Sequence, residues 1–287
     1  MKRLIIVVLL VGIAAVAGIV RSYSKAGYSV SEIPEAVSGE SKSQGNVRDE
    51  IRKNFDLSPG ARVEVEGING SVNVETADVK TAELYVERLA KSPESLARRK
   101  IVIENTPNSL TVRGKSGTVG FFGRLFGSSP TEKVTLKLPR QVDFVASGVN
   151  GAVVVGEIDG AVEVTGVNGR VDVARATGNA EFRGINGNVS VAFSRLDNDG
   201  VRLTGVNGNI ELRLAEGVSA ELEAHGMNGN VVSDLPDFTL EKAKHGNYHA
   251  RVGSGGNSIS ASGINGNIRV TRASLASTTA EAGKSKS

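Results

Sequence analysis

The side chains in this sequence that could do chemistry are three histidines and a column of glutamates at a fixed offset from a recurring motif. His245 and His249 have the spacing that brings two imidazoles to one metal ion on a helix. The segment "KHGNYHARV" reads instead as turn and strand, where residues four apart share a face but stand about 13 Å apart. His225 lies in an outward column and reads as a surface side chain. Glu163, Glu181 and Glu223 each precede a recurring Asn by five residues, and carboxylates from adjacent layers could share the acid and base roles of glycoside cleavage. Arg202 stands in the same column between the last two, and alternating charge along a sheet face is the ordinary pattern of a solvated surface. The absence of Cys removes thiolate chemistry, disulfides and a lipid-modified Cys anchor. The repeated turns carry neutral Asn where calcium-binding nonapeptide repeats carry Asp, and the Gly253, Gly255, Gly256 cluster lacks the Lys-Ser/Thr pair of a phosphate loop. No Ser, His and Asp set recommends a hydrolase triad. We therefore expect no catalytic residue, no metal ligand and no cofactor.

The elements that must position these groups are set by a repeat. Gly-Φ-Asn-Gly, with Φ apolar, recurs with its Asn at Asn69, Asn150, Asn168, Asn186, Asn207, Asn228 and Asn265, in steps of 18, 18, 21, 21 and 37 residues from Asn150. Around each Asn, six columns stay largely apolar. Six before it stand Val63, Phe144, Val162, Ala180, Val201, Leu222 and Ile259; three after it stand Val72, Val153, Val171, Val189, Ile210, Val231 and Ile268. Polar residues fill the alternate positions, the period-two signature of half-buried strands. The expectation is an all-β chain whose apolar columns are buried. Asn and Gly suit the turns because both tolerate the left-handed backbone. A repeat near 20 residues that keeps its columns through changes of spacing points to a β-solenoid with coils of about 18–21 residues, in which turn Asn side chains about 4.8 Å apart can form a hydrogen-bonded ladder. Asn-Gly is also a hairpin signal, so a meander or propeller could use the same columns.

The chain has 287 residues, 35 of them Gly, 4% aromatic residues and no Trp, which suits thin layers filled by Val, Ile, Leu and Ala. A net charge of +3 gives no extended electrostatic footprint for nucleic acid. Lys2 and Arg3 followed by the apolar run Leu4 to Val20 read as an export signal, cleaved or kept as an anchor, over residues 1–21. Residues 22–47 read as a flexible tether, 48–272 as the folded β domain and 273–287 as a disordered tail. Between Val79 and Leu138 the repeat gives way to strands at "TAELYVERLA", "KIVIENTP" and "SLTVRG". The segment "SPESLARRK" there reads as one short helix, capped by Ser92, with Arg98, Arg99 and Lys100 at the negative end of its dipole or offered to an anionic surface. The loop "SGTVGFFGRLFGSS" carries Phe121, Phe122, Arg124, Leu125 and Phe126, suited to a membrane interface, a partner groove or the capping of a solenoid end. The stretch from Asn228 to Asn265 reads as an excursion with one degenerate coil.

The leading "ARVEVEGINGSVNVETAD" unit, followed by "GVNGRVDV", "GINGNVSV", "GVNGNIEL" and "GINGNIRV", resembles the bacterial putative-adhesin family with Gly-Ile-Asn repeats over roughly 55–272. The resemblance implies an exported β-solenoid of the periplasm or cell surface and carries no catalytic residues across. It leads to the expectation of a non-enzymatic binding or scaffold protein. The polar row Thr165, Arg183, Thr204 and His225 is a candidate face for a surface glycan or an envelope protein. The alternative is an envelope-stress regulator touching membrane or a partner through its Phe loop; a glycan-cleaving enzyme acting through Glu163 and Glu181 is the third reading.

Overall fold

The structure is a computed structural model that describes residues 47–117, 129–198, 200–242 and 246–273. The export segment, His245 and the loop residues Phe121, Phe122, Arg124, Leu125 and Phe126 lie outside the described residues, as do the tether and tail apart from Val47 and Ala273.

Among the described residues the chain is all-β apart from one short helix, and its strands form two large mixed sheets of ten and eleven strands. Each repeat gives one strand before its Asn and one after it. The first set comprises β2 (Ala61–Glu66), β8 (Val142–Ser147), β10 (Val162–Thr165), β12 (Ala180–Ile185), β14 (Val201–Val206), β16 (Ala220–His225) and β20 (Asn257–Ser262), all in one sheet, here the leading sheet. The second set forms the trailing sheet: β3 (Gly70–Ala77), β9 (Val153–Ile158), β11 (Val171–Thr177), β13 (Val189–Arg195), β15 (Ile210–Leu214), β17 (Val231–Ser233) and β21 (Ile268–Arg272). Equivalent strands of different repeats pair in parallel and column to column, as in Val162 with Ala180 and Val171 with Val189. The Asn-Gly turns are therefore not hairpin turns; each carries the chain from one sheet to the other. An antiparallel meander or propeller built on these columns is ruled out by that pairing.

The alternation of the sequence explains the packing. All seven residues six before the Asn, and all seven three after it, are buried. So are the residues four before it and those just before it; Ser233, the polar exception five after it, is half-buried. These side chains, Phe144 and Phe182 among them, merge with Phe193 into one continuous core. Outward positions between them stay half-buried or exposed, apart from the apolar Val145, so a one-residue slip of a strand would exchange core for surface.

Spatial order departs from chain order in the last repeats. β20 lies between β14 and β16, and β21 between β15 and β17, so the Asn265 repeat is inserted between those of Asn207 and Asn228. The excursion that makes this return possible is not a degenerate coil. It is an antiparallel hairpin, β18 (Phe238–Lys242) with β19 (Tyr248–Val252), which extends the leading sheet beyond β16. An antiparallel return brings the chain back past β16 without a further crossover.

At the Asn69 end, β7 (Thr131–Pro139) pairs in parallel with β3, and β4 (Thr81–Ala90) and then β1 (Val47–Asp56) continue the trailing sheet as antiparallel strands, while β5 (Arg99–Thr106) and β6 (Ser109–Ser116) form a hairpin on the leading sheet. The expected helix is α1 (Pro93–Ala97), with the Ser92 hydroxyl accepting from the Ser95 N–H at 3.3 Å. Hydrogen bonding to Ser92 holds the Glu94 carboxyl below its usual range. Arg99 departs from expectation. It neither compensates the helix dipole nor faces solvent, because it begins β5 and turns inward to a buried carboxylate.

Candidate functional site

The Asn at the centre of each turn donates its Nδ2 to the Oδ1 of the Asn in the neighbouring repeat. The bonds run Asn150 to Asn69, Asn168 to Asn150, Asn186 to Asn168, Asn207 to Asn186, Asn265 to Asn207 and Asn228 to Asn265, at 2.9–3.1 Å. The ladder crosses the inserted repeat without a break. Beside it, the backbone N–H of each Asn except the first bonds the carbonyl of the neighbouring Φ residue, as Asn168 does with Val149 at 2.9 Å.

Turn chemistry is divided among the glycines differently from the expectation. The left-handed backbone falls on the Gly before Φ, with φ between 61° and 65° in all seven repeats. The Gly after Asn serves close approach: a Cβ on Gly187 would lie 2.4 Å from the carbonyl oxygen of Gly169, and one on Gly208 2.3 Å from that of Gly187. Asn is needed for the ladder, and the torsional demand at this turn is met by Gly.

Asn69 ends the ladder, with no repeat beneath it. Its Nδ2 donates to the Pro130 carbonyl at 2.8 Å and its backbone N–H to Glu132 Oε2 at 3.0 Å, each replacing a partner that other repeats supply. The Glu132 side chain is fully buried, and Arg99 meets it with Nε at 2.7 Å and Nη2 at 3.0 Å. The same guanidinium donates to the Gly67 carbonyl and, at 3.1 Å, to Ser116 Oγ. A carboxylate finishes the stack because it can accept from an N–H and an arginine together. Capping is one of three roles that the sequence leaves open to the Phe loop, which lies outside the described residues; among the described residues, Pro130, Glu132 and Arg99 terminate the ladder.

The candidate row on the leading sheet runs Glu66, Ser147, Thr165, Arg183, Thr204, Ser262, His225. Ser262 thus separates Thr204 from His225, a consequence of the inserted repeat. Its charged members are paired with neighbours, Arg183 with Glu181 and Glu66 with Arg113 at 2.5 Å, and His225 Nε2 lies 4.0 Å from Glu223. Glu163 and Glu181 do occupy adjacent strands in register, but Arg62 reaches Glu163 at 3.4 Å and Arg183 holds Glu181. Two carboxylates, each paired with an arginine on a sheet face, form a charge lattice. His249 on β19 lies 3.0 Å from Glu221 on β16 and 3.8 Å from Glu241 on β18, a surface cluster across three strands.

A second polar row lies on the trailing side, two residues after the turn Asn: Arg170, Asn188, Asn209, Asn267 and Asn230, in spatial order. Here the Asn side chains bond differently. Asn188 Oδ1 accepts the backbone N–H of Asn209 at 2.9 Å, Asn209 Oδ1 that of Asn267 at 3.0 Å, and Asn267 Oδ1 that of Asn230 at 2.9 Å. This row lines a groove of about 600 Å³ together with Asp172, Ser190, Glu211, Val232 and Arg269. Sequence reasoning missed it; the signal was the second Asn in "INGNVS", "VNGNIE", "MNGNVV" and "INGNIR".

No protein-family model and no curated protein matches the chain. Similar solved structures include a putative cell adhesion protein from Clostridium sporogenes, at 14% identity and a TM-score of 0.34, covering 78% of this chain and 100% of that one. Another is a putative adhesin from Bacteroides fragilis, at 13% identity and a TM-score of 0.28, covering 77% and 97%. A third, a putative lipid binding protein from Parabacteroides distasonis, has 13% identity and a TM-score of 0.24 over 77% of this chain and 96% of that one. The resemblance to the Gly-Ile-Asn repeat family accordingly stands on the motif, and function must be argued from this chain's own residues.

Proposed function

We propose that this chain is a non-enzymatic, exported protein of the cell envelope whose repeats form a β-solenoid with a repetitive binding surface, an adhesin or scaffold. The observation that carries the proposal is the Asn ladder, which holds seven repeats in one register so that every exposed column recurs at constant spacing. Such a surface engages an extended ligand through many weak equivalent contacts, and linkage between them raises the overall affinity without any strong single site. The arginine-paired carboxylates favour binding over hydrolysis, because a general acid must be free to hold and release a proton. Export is argued from the N-terminal sequence alone: a basic start, an apolar run and a small-residue site.

The test is a binding screen of the full chain against immobilised glycans, bacterial surface fractions and liposomes, with product analysis on the same glycans. Saturable binding without cleavage is expected. Cleavage products that vanish on Glu163→Gln or Glu181→Gln would overturn the non-enzymatic reading. Arg183→Ala combined with Thr204→Ala tests the leading-sheet row: weakened binding assigns the contact there, and unchanged binding excludes that row.

A further inference from the structure

The two columns of Asn differ in what they leave unused. In the turn column, both ends of each internal amide are consumed by the neighbouring repeats. In the groove column only the oxygen is consumed. Among the described residues, the Nδ2 groups of Asn188, Asn209, Asn267 and Asn230 have no protein partner, and all four residues are exposed. The amides of Asn188, Asn209 and Asn267 cannot flip to exchange roles, because a backbone N–H opposite each demands an oxygen. Arg170 continues the row, and among the described residues its guanidinium has no ion-pair partner. The remaining charges of the groove are engaged: Asp172 with Arg213 at 3.7 Å, Glu211 with Ser190 at 3.2 Å and Arg269 with Asp234 at 3.1 Å.

We infer that this groove binds an extended, neutral glycan bearing carbonyl acceptors, an N-acetylated sugar chain, along the row Arg170, Asn188, Asn209, Asn267, Asn230. The inference rests on the binding-surface proposal and names its ligand class and its side of the molecule. The row presents donors with fixed orientation, so its ligand must present acceptors. An acetamido carbonyl accepts without competing as a donor at the same atom. A single unpaired cation is too little to hold a polyanion, since an acidic polymer would meet Asp172 and Glu211 in the same groove. Spacing decides between a sugar chain and a peptide. Alternate donors recur at twice the inter-strand distance, about 9.6 Å, close to the two-sugar repeat after which an extended N-acetylated chain returns its acetamido groups to one side, whereas side chains on one face of an extended peptide recur at about 6.8 Å and fall out of step. Val232, 42% exposed at the far end of the row, offers an apolar surface to the C–H face of a ring.

Asn→Asp substitution provides the test. It keeps an oxygen that accepts the neighbouring N–H and exchanges the free donor for a carboxylate oxygen, adding one negative charge to an exposed position, so the fold is retained while the ligand contact is lost. Full chain would be titrated calorimetrically with chitohexaose, with hexagalacturonate and an extended hexapeptide as controls, and circular dichroism would check each variant's fold. Chitohexaose is expected to bind in preference to both controls, with affinity about threefold to tenfold lower in Asn209→Asp and lower again in the double variant Asn188→Asp, Asn267→Asp. Equal binding of chitohexaose by the wild type and the double variant would overturn the groove assignment while leaving a binding function elsewhere on the surface. Preference for hexagalacturonate or the peptide would overturn the ligand class. Silence toward all three, with binding in the wider surface screen, would overturn this inference alone; silence in both would overturn the binding-surface proposal as well.

Discussion

An asparagine inside the turn ladder gives one hydrogen bond to a neighbour and takes one from the other side, at 3.0–3.1 Å for Asn186. Asn186→Ala deletes both and leaves two neighbouring amides each short of a partner. Water reaches this exposed column, so the expected loss is about 1–3 kcal/mol in urea denaturation, and an unchanged midpoint would show the ladder to be ornamental. Gly187→Ala acts on a different force. Its methyl would sit 2.4 Å from the Gly169 carbonyl oxygen, and separating the two turns should cost about 1–3 kcal/mol or more. A variant as stable as the wild type would contradict the close approach. The sequence displays the need for both residues, but only part of the reason. Left-handed torsion is a local property and could be anticipated; the contact that forbids a Cβ at Gly187 arises between residues 18 positions apart and exists only once the turns are stacked. The groove Asn residues were harder still, because their role depends on which end of the amide the neighbouring backbone consumes.

At the scale of elements, period-two alternation identified the strands and their buried faces, since burial of one face is all that a half-buried strand asks of its sequence. Chain order gave no clue that β20 and β21 enter between earlier strands. Parallel pairing is satisfied equally well by any neighbour with matching columns, and the Asn265 repeat fits beside two of them. The consequence is testable by hydrogen exchange: amides of Ile268–Arg272, close to the tail, should be protected as strongly as those of Ile210–Leu214, with which they pair. Exchange at the rate of a frayed terminal strand would contradict the inserted order. The end cap was equally invisible, because Glu132 stands 33 residues from Arg99 and nothing local marks either as buried. Glu132→Ala leaves Arg99 uncompensated beside the Asn69 turn and should destabilise the fold by about 3–5 kcal/mol, measured by chemical denaturation. A loss under about 1 kcal/mol would place the pair among ordinary surface ion pairs.

For the whole molecule, the repeat does two jobs with one sequence device. Stacking gives a continuous core to a chain with 4% aromatic residues, and the same stacking converts each outward position into a row. On the proposed reading, nearly balanced charge, +3 over 287 residues, leaves recognition to geometry and hydrogen bonding more than to long-range attraction. A surface of this kind is expected to read length: the five positions from Arg170 to Asn230 extend over about 19 Å at ordinary strand spacing, so a ligand gains contacts until it spans them. The most direct measurement is therefore the affinity of the full chain for N-acetylated oligosaccharides of two to eight sugars. The account predicts dissociation constants that fall by at least about tenfold between two and five sugars and then level off as the row is filled. Equal affinity for the shortest and longest chains would mean a single local pocket, and would contradict a function built on repetition.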